Sequence, residues 1–270
     1  MTRILCLLLS LAPLPATAQQ IISCVLRPIN EIEIAPPVSG LLAELTVDRG
    51  DRVTAGEVIG RLEAGVVEAQ LAAARQRAES GAAILARDAQ LADAERRLAQ
   101  MQSLSDRGVA SQNQLDEIVS EVEVARSELA EAHDAQIAAR LEAEAAAANV
   151  ALRTIRAPVS GHVLMRHVDP GEYAAADEPL LDIVTVSELH AEVLLPSDVH
   201  GTVAQGDTVE VMSLEGAGVR RAGLVDAVDP VIDAASRSFG LRVRLDNGDG
   251  AFTAGNRCDV MFGAGDETGD

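Results

Sequence analysis

Hydrophobic and polar positions follow two different periods along the chain, and the change of period divides it into three segments. Glu31-Ile32-Glu33-Ile34 alternates with a period of two, which is typical of a β-strand with one buried face. The same alternation returns at Leu189–Leu195 and at Leu241–Leu245. Between residues 64 and 153 the apolar positions instead repeat every seven residues. The pattern therefore predicts β structure, then helix, then β structure again.

The middle segment has the composition and spacing of a coiled coil. It contains no proline and is rich in the strong helix formers Ala, Glu, Arg, Gln and Leu. Gly108 suits a helix end, and Ser111 with Gln114 fits a capping box that starts a second helix. Two arms of about 40 residues predict an antiparallel hairpin roughly 60 Å long; a single bent helix is the alternative. The residues that are expected in the seam are Leu71, Ala78, Leu85, Ala92, Ala99 with the adjacent row Ile84, Leu91, Leu98, and, in the second arm, Leu115, Val122, Leu129 with Ile118, Ala125, Ala132, Ala139.

A short motif occurs once on each side of the helical segment. Pro37-Val38-Ser39-Gly40 returns as Pro158-Val159-Ser160-Gly161, and the match continues at the same offset, with Val47-Asp48-Arg49-Gly50 on Val168-Asp169-Pro170-Gly171. Repeats of this kind usually lie next to each other in the chain. Their separation predicts one small β domain that is built from two halves, with the hairpin inserted between them.

The first 18 residues have the pattern of an export signal. Arg3 precedes an apolar run from Ile4 to Leu14, and Ala16-Thr17-Ala18 offers a small-x-small cleavage site. The run is shorter than the roughly 20 apolar residues that span a bilayer. A buried N-terminal element is the alternative. We expect cleavage near Ala18 and a mature protein outside the cytoplasm.

Two cysteines remain after the signal, Cys24 and Cys258, and both lie in alternating segments. In an oxidising compartment such a pair is a candidate disulfide. Two alternatives stay open. The cysteines could be free and buried, or Cys24 could carry a lipid, because Ile21-Ile22-Ser23-Cys24 loosely resembles a lipobox.

Composition argues against most catalytic and nucleic-acid functions. The net charge is −20 and all 22 basic residues are Arg, so lysine-linked cofactors are excluded and a nucleic-acid partner is not expected. His162 and His167 are five residues apart in a strand and should face opposite ways. Ser39 and Ser160 lack the surrounding Gly-x-Ser-x-Gly elbow. We therefore predict no enzyme activity, no metal site and no cofactor.

The order of these segments resembles a known family. The two motif copies, extended to Ala35–Gly40 and Arg156–Gly161, are similar to the halves of the lipoyl-like domain in the periplasmic adaptor subunits (HlyD-like membrane fusion proteins) of tripartite efflux pumps. The stretch from Val228-Asp229-Pro230 through Arg237 to Asn247, closing with Gly255, resembles the barrel of that family.

The resemblance implies an elongated α+β fold: a split lipoyl-like β domain with an inserted antiparallel α-helical coiled-coil hairpin, followed by a small antiparallel β-barrel. The expected boundaries are a signal peptide at 1–18, an N-terminal strand joining the barrel at 19–33, lipoyl-like halves at 34–63 and 154–186, the hairpin at 64–153, the β-barrel at 187–262 and a disordered tail at 263–270.

The resemblance also implies a function and partners. The chain would be a periplasmic adaptor, peripheral to the inner membrane, that links an inner-membrane transporter of the RND or ABC type to a TolC-like outer-membrane channel, as a trimer or hexamer. A structural coiled-coil tether or scaffold of the cell envelope is the alternative. In the family an Arg begins the docking motif of the tip, and Gln100 occupies that position here. The docking residues that the resemblance assigns are Leu104, Gly108, Ser111, Leu115 and Asp116, although Leu104 and Leu115 could equally serve hairpin packing.

Overall fold

The structure is a computed structural model that describes residues 20–215 and 218–262. The expected signal peptide and the expected C-terminal tail lie outside the described residues. The helices are α1 Gly65–Glu79, α2 Ala82–Asp106 and α3 Gln112–Ala151. The strands are β1 Gln20–Ile34, β2 Gly40–Leu45, β3 Arg52–Val53, β4 Val58–Leu62, β5 Thr154–Arg156, β6 Gly161–Arg166, β7 Tyr173–Ala174, β8 Leu181–Pro196, β9 Thr208–Ser213, β10 Arg220–Val228, β11 Ser238–Asp246 and β12 Arg257–Phe262.

Six antiparallel strands form the β-barrel. Their order is β1-β12-β9-β10-β11-β8, and pairing of β1 with β8 closes the barrel. Alternate residues of each strand point inward, as the period of two predicts. In β11, Phe239 and Val243 are buried while Arg242 and Arg244 are exposed. The predicted α+β fold, with a split β domain, an inserted hairpin and a small barrel, is confirmed.

The two motif copies build one domain by pairing with each other. Strand β2 of the first half pairs with β7 of the second, and β3 of the first pairs with β6 of the second. The shared core includes Leu42 and Ile59 from one half and Ile155 and Leu180 from the other, all essentially inaccessible to solvent. Both halves contribute to this one core, so the two ends of the inserted hairpin lie side by side in the folded domain.

The repeated serines hold the two halves together by equivalent hydrogen bonds. The Ser39 hydroxyl accepts a hydrogen bond from the backbone N–H of Ala176 at 3.0 Å. The Ser160 hydroxyl accepts one from the N–H of Ala55 at 2.9 Å. Each serine therefore anchors a turn of the opposite half, which gives a structural reason for the presence of serine in both copies.

The repeated glycines Gly40 and Gly161 differ in the space around them, and this difference yields a prediction. A Cβ at Gly161 would lie 2.9 Å from Ile183 Cγ2 and closer still to the carbonyl oxygen of Val184, which is backbone and cannot move aside. A Cβ at Gly40 would meet the flexible end of Arg153. We expect Gly161→Ala to lower the free energy of unfolding by about 1–3 kcal/mol. Gly40→Ala, the matched control, should change it far less. Urea denaturation of both variants checks this, and equal destabilisation would contradict it.

Two long strands run through both β domains. Residues 24–34 of β1 pair with residues 181–193 of β8, with one register shift between Pro28 and Asn30. The same strands therefore belong to the barrel at one end and to the lipoyl-like domain at the other. A paired ribbon, rather than a single flexible linker, sets the position of the barrel relative to the hairpin base.

The first arm of the hairpin is broken, which the heptad pattern did not predict. Helix α1 ends at Glu79 and α2 begins at Ala82, because Ser80 adopts an extended conformation and Gly81 is a poor helix former. Leu71 and Ala78 lie in the seam before the break. After it, the seam moves to the adjacent row.

The break changes which predicted seam residues are buried. Ile84, Leu91 and Leu98 are partly buried beyond the break, whereas Leu85 is 70% exposed. Ala92 and Ala99 are also exposed, so the expectation that these three lie in the seam is wrong. Ile84 follows Ala78 by six positions instead of the seven of a heptad, and this shift of one position rotates the apolar face of α2 relative to that of α1. In α3, which has no break, all of the predicted seam positions are at least partly buried.

Candidate docking tip and the hairpin that carries it

Four ion pairs join α3 to the helices of the first arm. Arg77 of α1 contacts Glu142 of α3 at 3.0 Å. Between α2 and α3, the pairs and their N–O distances are Arg87–Glu128 at 2.7 Å, Arg97–Glu121 at 2.7 Å and Glu95–Arg126 at 3.5 Å. All of these side chains are substantially exposed, so each pair contributes little to stability, typically below about 1 kcal/mol. Their value lies in favouring one antiparallel register over its neighbours.

The hairpin tip is a tight turn with hydrogen bonds at both helix ends. Gly108 adopts a φ of 73°, the left-handed conformation that commonly ends a helix. The N–H of Val109 donates to the carbonyl of Leu104 at 3.0 Å. On the other side, Ser111 and Gln114 form the capping box that the sequence predicts, with the Ser111 N–H donating to Gln114 Oε1 at 3.0 Å. Local sequence therefore determines where α2 ends and α3 begins.

The structure places the expected docking residues at the tip in two different settings. Gly108, Ser111 and Asp116 are exposed, whereas Leu104 and Leu115 are partly buried. Asp116 accepts a hydrogen bond from Gln112 Nε2 at 2.9 Å, one turn into α3. The surroundings of the two leucines suit both hairpin packing and contact with a partner. Their role in docking stays a prediction.

A shallow groove of about 500 Å³ lies beside the tip, lined by Ala99, Gln100, Ser103, Leu104 and Arg107. The two arginines one turn before Gln100 do not serve this groove. Arg96 pairs with Asp93 at 2.7 Å, and Arg97 is held between Asp93 and Glu121. The basic residue that lines the groove is Arg107. The spacing of the family's tip motif does not point to Arg107, although it is the only basic residue between Arg97 and Arg126.

The two cysteines outside the signal lie opposite each other on neighbouring strands of the barrel. Cys24 of β1 pairs in register with Cys258 of β12, and a disulfide joins them, with 4.8 Å between the Cα atoms. Both residues are buried in the barrel core. The bond links the first strand of the barrel to its last.

The outer face of the barrel carries a network of charges. Arg242 bonds Asp226 at 2.9 Å, and His190 lies 3.8 Å from the same carboxylate. Burial, reinforced by the charge of Arg242, lowers the pKa of His190. His190 is therefore neutral at pH 7. The negative charge of Asp226 is compensated by Arg242 instead.

A second ion pair on the barrel is bidentate. Arg221 donates to both carboxylate oxygens of Asp249, and this hydrogen bonding raises the pKa of Arg221 and lowers the pKa of Asp249. The guanidinium also lies 5.6 Å from the ring centre of Phe252. These contacts tie β10 to the loop after β11 and involve no reactive group.

Residues 20–215 and 218–262 contain no group of three or more His, Cys, Asp or Glu side chains that could hold a metal ion. No helix in this part of the chain is both long enough and apolar enough to cross a membrane.

Comparison with known families agrees with this geometry. Residues 30–186, more than half of the chain, match the family described as RND MFP, barrel-sandwich hybrid domain. Residues 189–266 match the CusB-like, beta-barrel domain. The chain belongs to the RND membrane fusion protein family. This is a family of non-enzymatic periplasmic adaptors, as the resemblance in sequence implied.

Individual relatives are similar over much of this chain. The nodulation protein NolF of Rhizobium meliloti (strain 1021) is 27% identical over 246 residues, which are 89% of this chain and 61% of that protein. The multidrug resistance protein MdtA of Salmonella typhimurium is 29% identical over 221 residues, 81% of this chain and 48% of that protein. This chain thus spans about half to three fifths of the length of these two relatives.

Solved structures share the fold. MacA from Actinobacillus actinomycetemcomitans superposes with a TM-score of 0.77 at 17% identity, covering 91% of this chain and 78% of that chain. The membrane fusion protein Spr0693 from Streptococcus pneumoniae R6 gives a TM-score of 0.63 at 15% identity, covering 91% of this chain and 99% of that chain. At such low identity these similarities concern the fold alone.

Proposed function

We propose that the chain is the periplasmic adaptor of a tripartite efflux system and links an inner-membrane transporter to an outer-membrane channel. The observation that carries this proposal is the helical hairpin inserted between two halves of a barrel-sandwich hybrid domain, in a chain whose residues 30–186 match the RND family. Because both matched domains are of RND-adaptor type, an RND transporter is favoured over an ABC transporter.

The dimensions support a bridging role. Helix α3 has 40 residues and is therefore roughly 60 Å long. Its base is held by the lipoyl-like domain, and the β1–β8 ribbon connects that domain to the barrel. In the proposed assembly the barrel and the lipoyl-like domain lie near the transporter, and the hairpin extends toward a TolC-like channel.

The hairpin surface supports self-association into a trimer or hexamer. Leu85, Ile137 and Leu141 are 70%, 54% and 60% exposed on the helices of the hairpin. Ile137 and Leu141 are four residues apart and therefore adjacent on one face of α3. Together they offer apolar surface to a neighbouring hairpin. Packing of hairpins side by side would cover them and form a tube.

A periplasmic location, peripheral to the inner membrane, fits the covalent chemistry of the barrel. A buried disulfide persists in an oxidising compartment and is rare in the cytosol. The same location places the adaptor between its two proposed partners.

Copurification tests the proposal most directly. An affinity-tagged chain is expressed from its own locus, membranes are solubilised in mild detergent, and bound proteins are identified by mass spectrometry. We expect both an RND transporter and an outer-membrane channel, together with increased sensitivity to exported compounds when the gene is deleted. Unchanged sensitivity, with neither partner recovered, would support a structural tether of the envelope instead.

A further inference from the structure

The hairpin tip contains a single positive charge. Arg107 is the only basic residue in 98–125. The acidic residues of the same stretch are Asp106, Asp116, Glu117, Glu121 and Glu123. Arg107 is therefore the one side chain of this stretch that can offer a positive charge to a partner.

The Arg107 side chain folds back along the last turn of α2. Its Nε donates to the backbone carbonyl of Ser103 at 2.9 Å, and its Nη2 to the Ser103 hydroxyl at 3.2 Å. The carbonyls of a final helical turn lack partners within the helix and carry partial negative charge. A guanidinium has five N–H donors, and among the described residues the remaining three have no acceptor. The cation is thus held in place while most of its donors remain available.

Arg107 lies beside apolar side chains, as arginines at protein–protein interfaces often do. Arg107 shares the groove of about 500 Å³ with the partly buried Leu104 and with Gln100. Val109, next in the turn, is 73% exposed. An arginine that borders an apolar contact is a frequent combination at the energetic centre of protein interfaces.

We propose that Arg107 is the docking cation of this tip and that it binds backbone carbonyls at the end of a helix in the outer-membrane channel. This inference rests on the proposed function. A carbonyl partner is favoured over a carboxylate because Asp106, Asp116 and Glu117 would repel a second negative charge. Arg107 already binds a carbonyl of this kind within its own helix.

The test measures binding of the purified full chain to a TolC-type channel in nanodiscs by biolayer interferometry. Arg107→Ala should weaken the affinity on the order of 10-fold or more, because charged hydrogen bonds are lost. Arg107→Lys keeps the charge but not the planar fork, so an intermediate loss is expected. Adding Gln100→Arg to Arg107→Ala places a new cation in the same groove and should restore part of the affinity.

The matched control is Arg96→Ala, which removes an exposed arginine of the same helix that pairs with Asp93. It should bind like the unmodified chain, and circular dichroism should show equal helix content for all variants. Equal affinity of Arg107→Ala and the unmodified chain would refute the inference and leave the proposed function intact. If the unmodified chain binds the transporter but not the channel, the proposed channel link fails and the inference fails with it.

Salt separates the two partner chemistries. The quantity compared is the affinity of the unmodified chain divided by that of Arg107→Ala. With a carbonyl partner, this ratio should change little between 50 mM and 500 mM NaCl, on the order of two-fold, because only one formal charge is involved. A ratio that falls toward one at high salt would overturn the carbonyl assignment in favour of a carboxylate.

Discussion

Leu129→Pro should abolish export by cells that depend on this chain. Leu129 lies in the middle of α3, partly buried in the seam and next to Glu128, which pairs with Arg87 of α2. Proline in a helix interior removes a hydrogen-bond donor and clashes with the preceding turn, which costs about 3 kcal/mol or more. Since the first arm is already interrupted at Ser80–Gly81, α3 is the only continuous arm that can keep the hairpin straight.

The measurements are resistance to exported compounds and helix content by circular dichroism. Gln112→Pro is the matched control, because Gln112 is the first residue of α3, where proline is tolerated, and Ser111 before it is already extended. Its helix content should stay close to that of the unmodified chain. Normal export by Leu129→Pro would show that a straight hairpin is not required.

Removal of the disulfide by Cys24→Ala with Cys258→Ala should lower the free energy of unfolding of the barrel by roughly 2–5 kcal/mol. The bond joins residues that are 234 positions apart, so it restricts the unfolded chain over nearly its whole described length. It also holds β1 against β12, and β1 is the strand that continues into the lipoyl-like domain.

Urea denaturation with and without reductant measures the effect, and the double alanine variant, which reductant should not change, is the control. Intact mass of the exported chain under non-reducing conditions should be two hydrogens below that of the dithiol form. An added lipid mass, or unfolding of the unmodified chain that reductant leaves unaltered, would contradict the disulfide.

Sequence reasoning succeeds for this chain wherever the cause is local. The capping box depends on two side chains three residues apart, Ser111 and Gln114, and is present as predicted. The alternation at Leu241–Leu245 depends on the geometry of one strand, and the buried residues follow it. The seam of α3 is correct for the same reason, because an uninterrupted helix keeps its heptad phase from end to end.

The exposure of Leu85 shows where local reasoning fails. Ser80-Gly81 is visible in the sequence as a weak helical pair, but such a pair can be tolerated inside a helix when packing compensates. Once the helix breaks there, the phase of α2 no longer follows from that of α1. A heptad row counted across the break therefore assigns Leu85 to the seam, although its side chain faces solvent.

The tip required the structure for a different reason. Arg107 stands out in the sequence as an isolated cation, yet its significance depends on the rotamer that returns it to Ser103 and on the groove that it shares with Leu104. Arg96 and Arg97 precede Gln100 by one turn and would be equally plausible from spacing alone. Their ion pairs with Asp93 and Glu121 remove them from consideration.

The split repeat, the heptads and the alternating strands specify the parts of this protein, because each depends on the periodicity of one element. How the parts join follows only from contacts between residues that are far apart in the chain. Ser39 and Ser160 bond across the two halves, β1 and β8 run through both domains, and Cys24 meets Cys258. Long-range pairings of this kind depend on which surfaces bury each other, and no local period in the sequence encodes that choice.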